Sequence, residues 1–178
     1  IRDRLGEDGS SGSAALTSGV VAGLQDAYKT ISGGNLPPAS LVKVLLVNNA
    51  EEIGATGPDY QSGFGALNAA RSLENLISGN YVLSSVQSPQ EQTFNLAIPA
   101  GCRRIKITLA WTDPPAPVNA VRALVNDLDL ELNYPAGMQT FLPWVLSAFP
   151  HPDSLTLPAN RKKDTLNNLE QVTLDHPV

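Results

Sequence analysis

Residues 6–31 read GEDGSSGSAALTSGVVAGLQDAYKTI, and this stretch predicts a helix that begins in a run of small residues. From Ala14 to Ile31 the apolar residues recur at steps of three and four, the period of a helix with one buried face. They are Leu16, Val20, Val21, Leu24, Ala27, Tyr28 and Ile31. Gly33 and Gly34 predict its end, because glycine adopts the left-handed conformation that closes helices without a steric penalty.

The glycines and serines at residues 9–13 have two interpretations. Gly and Ser side chains bury little surface, so the run could be a flexible linker. Alternatively, Ser11 lies in the first turn of the helix, where unpaired backbone N–H groups and the positive end of the helix dipole stabilise negative charge. A serine at such a place is a candidate nucleophile, which also needs a general base and an oxyanion hole.

The composition excludes several classes of protein. The chain has 178 residues, is 42% hydrophobic and carries a net charge of −5, and its one run of three consecutive basic residues is Arg161, Lys162 and Lys163. We therefore expect no nucleic-acid partner. No apolar run approaches the roughly 18 to 20 residues of a membrane span. Cys102 is the only cysteine, so an intrachain disulfide is excluded.

The pattern changes from helical to β near residue 78. Residues 39–50 and 67–76 predict a second and a third helix, by the same apolar period. Farther on, apolar and polar residues alternate at 94–98, 105–111 and 128–132, which predicts strands with one buried face. We expect an α/β segment over residues 1–78 and an all-β jelly roll or sandwich over 79–178.

The stretch GSSGSAALTSG, Gly9 to Gly19, resembles the nucleophile segment of subtilisin-like serine proteases, Gly-Thr-Ser-x-Ala-x-Pro-x-x-x-Gly. Ser11 falls on the nucleophile and Ser10 on the threonine. Three further positions complete the comparison: Gly12 next to the nucleophile, Ser13 on the small residue, and Ala15 where the family usually has proline.

The resemblance continues along the chain. PASLVKVLL at 38–46 and GFGALN at 63–68 are similar to segments that follow the nucleophile in the family. ITLAWTDPPA at 107–116, ALVNDLDLEL at 123–132 and DTLNNLEQV at 164–172 resemble the jelly-roll domain of one branch of alkaline subtilases. The resemblance implies a secreted or surface-attached endopeptidase that acts on polypeptide substrates through an acyl-enzyme on Ser11.

A subtilase triad also needs an Asp and a His that precede the serine, and an Asn for the oxyanion hole. The ten residues before Ser11 contain no histidine, and His151 and His176 lie in contexts that match no triad motif. We therefore expect the chain to be the C-terminal portion of a longer enzyme, partnered by the upstream part of the same protease.

Two alternatives remain open. Residues 20–23, VVAG, can be matched to a Val-Ala-Gly of the family, and this second register would place Ala15 at the nucleophile position. The chain would then be a catalytically inactive subtilase-like module with a role in binding or assembly.

Acidic residues form a second candidate site. If Leu128, Leu130 and Leu132 face the core, Asp127, Asp129 and Glu131 share the opposite face of the strand. Residues 164–170 add further oxygen ligands: Asp164, Asn167, Asn168 and Glu170. Such a face is either solvated or binds a hard cation such as Ca²⁺. The resemblance favours structural calcium, with Asp127, Asp129 and Asp164 as its first candidate ligands.

Overall fold

The structure is a computed structural model that describes residues 9–134, 139–148 and 151–177. Three helices come first: α1 (Ser10–Ile31), α2 (Ala39–Asn49) and α3 (Ala69–Ile77). The strands are β1 (Arg104–Ala110), β2 (Leu132–Tyr134), β3 (Gln139–Phe141), β4 (Trp144–Val145), β5 (Asn160–Arg161) and β6 (Leu169–Asp175), and a 3₁₀ helix spans Pro152–Thr156. Within these ranges no helix combines the length and the apolar character that crossing a membrane requires.

The three predicted helices are present. α1 begins four residues before the predicted periodic segment, so the glycine and serine run forms its first turn and is not a linker. It ends where the glycines predicted, because Gly33 has a φ of 70° and the Gly34 N–H donates to the Lys29 carbonyl at 2.8 Å. Residues 1–8, the beginning of the predicted first segment, lie outside the described residues.

The helices share one apolar core. Leu24 of α1, Leu41 and Leu45 of α2 and Leu76 of α3 are each at most 3% exposed and pack together. From α1, Val20, Ala27 and Tyr28 also pack against this core. Nearer the start of the helix, Leu16 is 69% exposed.

In the part of the β region that the structure describes, the strands form three two-stranded antiparallel sheets, β1–β6, β2–β3 and β4–β5. The predicted strand at 94–98 is not formed, and Phe94 and Leu96 are more than half exposed. The predicted strand at 128–132 begins only at Leu132. Alternation of apolar residues specifies which side chains face the core, but a strand also needs a hydrogen-bonding partner, which alternation does not supply. The described residues show a mixed α/β chain and do not confirm the jelly roll.

α2 connects the helical region to the longest sheet by packing against β1. The Lys106 ammonium donates to the Ala50 carbonyl at 2.9 Å, and the Thr108 hydroxyl hydrogen-bonds to Asn48 Oδ1 at 2.8 Å. Two polar side chains of β1 thus bind the C-terminal end of α2. The domain boundary near residue 78 stays a prediction, although α3 ends at Ile77.

Candidate functional site

Ser11 lies exposed in the first turn of α1. The helix has 22 residues and begins after Gly9, which offers no side chain to cap it. The first-turn N–H groups have no intrahelical acceptor and therefore carry the positive end of the helix dipole. Ser11 thus combines an exposed hydroxyl with a local field that favours an oxyanion.

The small residues around Ser11 leave open space. A Cβ built at Gly12, Gly19 or Gly23 would meet no atom of the described residues within 4 Å, apart from its chain neighbours and the adjacent backbone of the helix itself. Two hydroxyls of α1 bind the backbone of the helix itself: the Thr17 hydroxyl donates to the Ser13 carbonyl and the Ser18 hydroxyl to the Ala14 carbonyl, both at 2.8 Å. Within the described ranges, then, tight packing does not account for the glycines at this end of the helix.

The two histidines lie in the β region. His151 precedes the 3₁₀ helix, and its Nδ1 is 3.4 Å from Asp153 Oδ2. His176 follows β6, and its backbone N–H donates to the Arg103 carbonyl at 2.8 Å. The sequence motifs assigned neither histidine to a triad, and this stays a prediction.

The carboxylates of residues 127–131 are exposed, as their alternation with half-buried leucines predicted. Asp129 forms an ion pair with Lys163, with 2.9 Å between Oδ2 and Nζ, and Glu131 Oε1 is 3.8 Å from the same ammonium. Asp127 is exposed in the same segment. Lys163 therefore reduces the repulsion that three like charges on one face would create.

Asp164 is buried, with 3% of its surface exposed, and its oxygens organise the turn before β6. Oδ1 accepts from the backbone N–H groups of Leu166 and Asn167, and Oδ2 accepts from the Asn167 side-chain amide at 2.7 Å. Among the described residues, no three His, Cys, Asp or Glu side chains form a group that could hold a metal ion. The predicted ligands Asp127, Asp129 and Asp164 thus do not form such a group.

Glu170 is a candidate oxygen ligand whose burial the sequence did not predict. It lies on β6 and is 1% exposed. Its Oε2 accepts from the Leu130 backbone N–H at 2.6 Å, whereas its Oε1 is buried without a hydrogen-bond partner among the described residues. An unpaired buried carboxylate oxygen costs free energy, and native proteins rarely leave one without a reason.

Burial is the main cause that raises the pKa of Glu170 to about 7, and the charges of Asp129 and Asp164 contribute to the same increase. The backbone N–H groups of Leu130 and Asp164 oppose these effects only in part. Glu170 therefore titrates near neutral pH, unlike an ordinary glutamate. In the sequence, Glu170 stands in DTLNNLEQV beside other residues with oxygen ligands. That pattern indicates a candidate ligand but does not predict that its carboxylate is buried.

Comparisons with known proteins assign no family to the chain. No protein-family model matches its sequence, and no curated protein matches it significantly. The relation to subtilisin-like serine proteases therefore stays a prediction that the residues of this chain carry by themselves.

Proposed function

We propose that this chain carries the nucleophile of a serine endopeptidase of the subtilisin type. The observation that supports it best is the exposed Ser11 in the first turn of a long helix whose N-terminal N–H groups are not capped by the side chain of the preceding residue. The open space around Gly12 and Gly19 leaves room for a substrate and for the remaining triad residues.

In the proposed reaction the Ser11 hydroxyl attacks the scissile carbonyl of a polypeptide, and a histidine takes its proton. The Ser11 backbone N–H helps to hold the oxyanion, and water then hydrolyses the acyl-enzyme. The histidine, its aspartate and the oxyanion asparagine come from the upstream part of the same protease, so we expect the chain alone to be inactive. We further propose that residues 79–178 belong to a jelly roll and that the enzyme is secreted or surface-attached.

A fluorophosphonate probe tests the nucleophile, because it labels only an activated serine. The probe should label the full-length natural enzyme at Ser11, and Ser11→Ala should abolish labelling. Ser18→Ala is the matched control, since Ser18 is an exposed serine of the same helix, and it should leave labelling intact. Absence of labelling in a folded enzyme would favour the inactive module, in which Ala15 occupies the nucleophile position.

We also propose that Ca²⁺ binds at Oε1 of Glu170, near Asp129 and Asp164, with backbone carbonyl and water oxygens completing its coordination, since these three side chains do not by themselves form a group that could hold a metal ion. The support is the buried, unpartnered Oε1 of Glu170, together with the two neighbouring carboxylates whose charges raise its pKa. Carboxylate oxygens are the ligands that Ca²⁺ prefers, and the ion would offset the repulsion among them. Asp127, which is exposed, has no comparable support.

Thermal unfolding in EDTA and in CaCl₂ tests this second proposal. Calcium should raise the melting temperature of the natural chain, because an ion that binds only the folded state stabilises it. Glu170→Gln should remove most of that increase, whereas exchange of the exposed Glu91 for Gln should not. Equal melting temperatures with and without calcium would contradict the proposal.

A further inference from the structure

The connection from β1 toward β2 contains a closed loop, residues 113–126, that includes neither the proposed nucleophile nor a proposed metal ligand. Asp113, at the start of the loop, binds the residues at its end: the Asp113 carboxylate accepts from the backbone N–H groups of Val125 and Asn126 at 2.6 and 2.9 Å. The Trp111 indole N–H donates to the Asn126 carbonyl at 3.0 Å. The ends of the loop are thus fixed next to each other, as in Ω-loops.

The tip of the loop is open to solvent. Val118 and Val121 are 91% and 103% exposed, and Arg122 and Ala123 are exposed as well. Among the described residues, the backbone hydrogen bond inside the tip joins the Ala120 N–H to the Pro117 carbonyl at 3.0 Å. Residues 118–123 can therefore adopt an extended conformation without breaking any helix or strand of the described chain.

We propose that the Arg122–Ala123 peptide bond is a site of limited proteolysis by proteases that cleave after basic residues. Such proteases bind several residues on each side of the scissile bond in an extended form, so they cut exposed loop tips first. Hydrolysis adds one water across this amide: the carboxyl group stays on Arg122 and the amine on Ala123. The proposal needs no activity of Ser11.

The other basic residues of the described chain are better protected. Six lie within helices or strands: Lys29, Lys43, Arg71, Arg104, Lys106 and Arg161. Arg103 and Lys162 use backbone groups in hydrogen bonds to His176 and Pro143, and the Lys163 side chain binds Asp129. Cleavage at the first six positions requires unfolding of regular structure, and cleavage at the other three requires loss of a bond of the basic residue itself or of its side chain, whereas cleavage at Arg122 requires neither among the described residues.

The two products remain associated. The cut places β1 on one fragment and β6 on the other, but the two strands pair over their whole length, from Arg104 with Asp175 to Ala110 with Leu169. The hydrogen bonds from Val125 and Asn126 to the Asp113 carboxylate also join residues on opposite sides of the cut. Proteolysis therefore yields a two-chain protein with its main sheet intact.

Limited digestion of the full 178-residue chain with trypsin tests the proposal. Denaturing mass spectrometry should show the first cut within residues 9–177 between Arg122 and Ala123, and native size-exclusion chromatography should show both products eluting together. Arg122→Gln should slow the first cut at least about tenfold, because the remaining sites lie in structured segments that open more rarely.

Arg71→Gln is the matched control: Arg71 is an exposed arginine within α3, and its exchange should leave the rate of the first cut unchanged. A first cut at another position of this range would overturn the proposal. So would an unchanged rate in Arg122→Gln, and separation of the fragments under native conditions would refute the two-chain product.

Discussion

Replacement of Glu170 by glutamine should make the protein more stable at high pH. Gln has nearly the same volume, and its side-chain carbonyl can still accept the hydrogen bond from the Leu130 N–H. Its amide group carries no charge and places donors next to the carboxylates of Asp129 and Asp164. The exchange thus removes the buried charge while the packing on β6 is kept.

The size of the effect follows from the pKa of Glu170, which burial raises from 4.5 to about 7. A tenfold change in proton affinity between the folded and unfolded states corresponds to about 1.4 kcal/mol, so the charged form costs the folded state about 3 kcal/mol. Between pH 4.5 and 7 the folded state binds this proton more tightly than the unfolded chain does. The free energy of unfolding therefore falls as the pH rises through this window, and the full loss is present above it.

Urea unfolding of both proteins in EDTA at pH 4.5 and pH 8.5 measures this loss. The difference between Glu170→Gln and the natural chain should be small at pH 4.5 and should reach about 3 kcal/mol in favour of the variant at pH 8.5. Glu91→Gln, at an exposed position, is the control and should show no such change with pH. A Glu170→Gln difference that is the same at both pH values would refute a raised pKa at this residue.

Two further pairs of substitutions, each a test and its control, probe the packing. Gly65→Ala should lower the free energy of unfolding by at least about 3 kcal/mol. A Cβ at this position would lie 2.0 Å from the Glu51 carbonyl oxygen and break the hydrogen-bonded bridge between Glu51 and Ala66, and the positive φ of Gly65 adds strain. Gly79→Ala shares the positive φ without a clash and should cost only about 1 to 2 kcal/mol in the same urea titration. Leu76→Ala should lower the free energy of unfolding by about 2 to 5 kcal/mol, because the side chain is 1% exposed. Ile77→Ala, on the exposed side of α3, should lower it by less than about 1.5 kcal/mol. Equal losses would contradict the core that the three helices share.

Much of the first candidate site was predictable from the sequence. The apolar period from Leu16 to Ile31 and the glycines after it predicted α1. The residue types at 9–13 indicated Ser11 as a candidate nucleophile. What the sequence did not predict is that no described residue packs against Gly12 or Gly19. Such contacts depend on which distant segments reach the helix, and local periodicity carries no information about them.

The second site shows the opposite balance. Alternation at 127–132 placed the carboxylates opposite the leucines, and the structure has exposed carboxylates and half-buried leucines there, although most of this segment is not a strand. The burial of Glu170 was not predictable, because residues 169–173 of β6 are buried on both faces and include the polar Glu170, Gln171 and Thr173. A strand covered on both faces loses the two-residue alternation by which faces are assigned.

Local sequence was sufficient to predict the three helices, the end of α1 at its glycines and the exposure of the acidic face, since each depends on neighbours within a few residues. The folded chain alone reveals which predicted strands find partners and which carboxylate is buried. β1 pairs with β6 from more than about 55 residues away in the chain, and the Leu130 N–H that meets Glu170 is 40 residues distant. Strand pairing and burial depend on contacts between distant segments, whereas helical hydrogen bonds close within four residues.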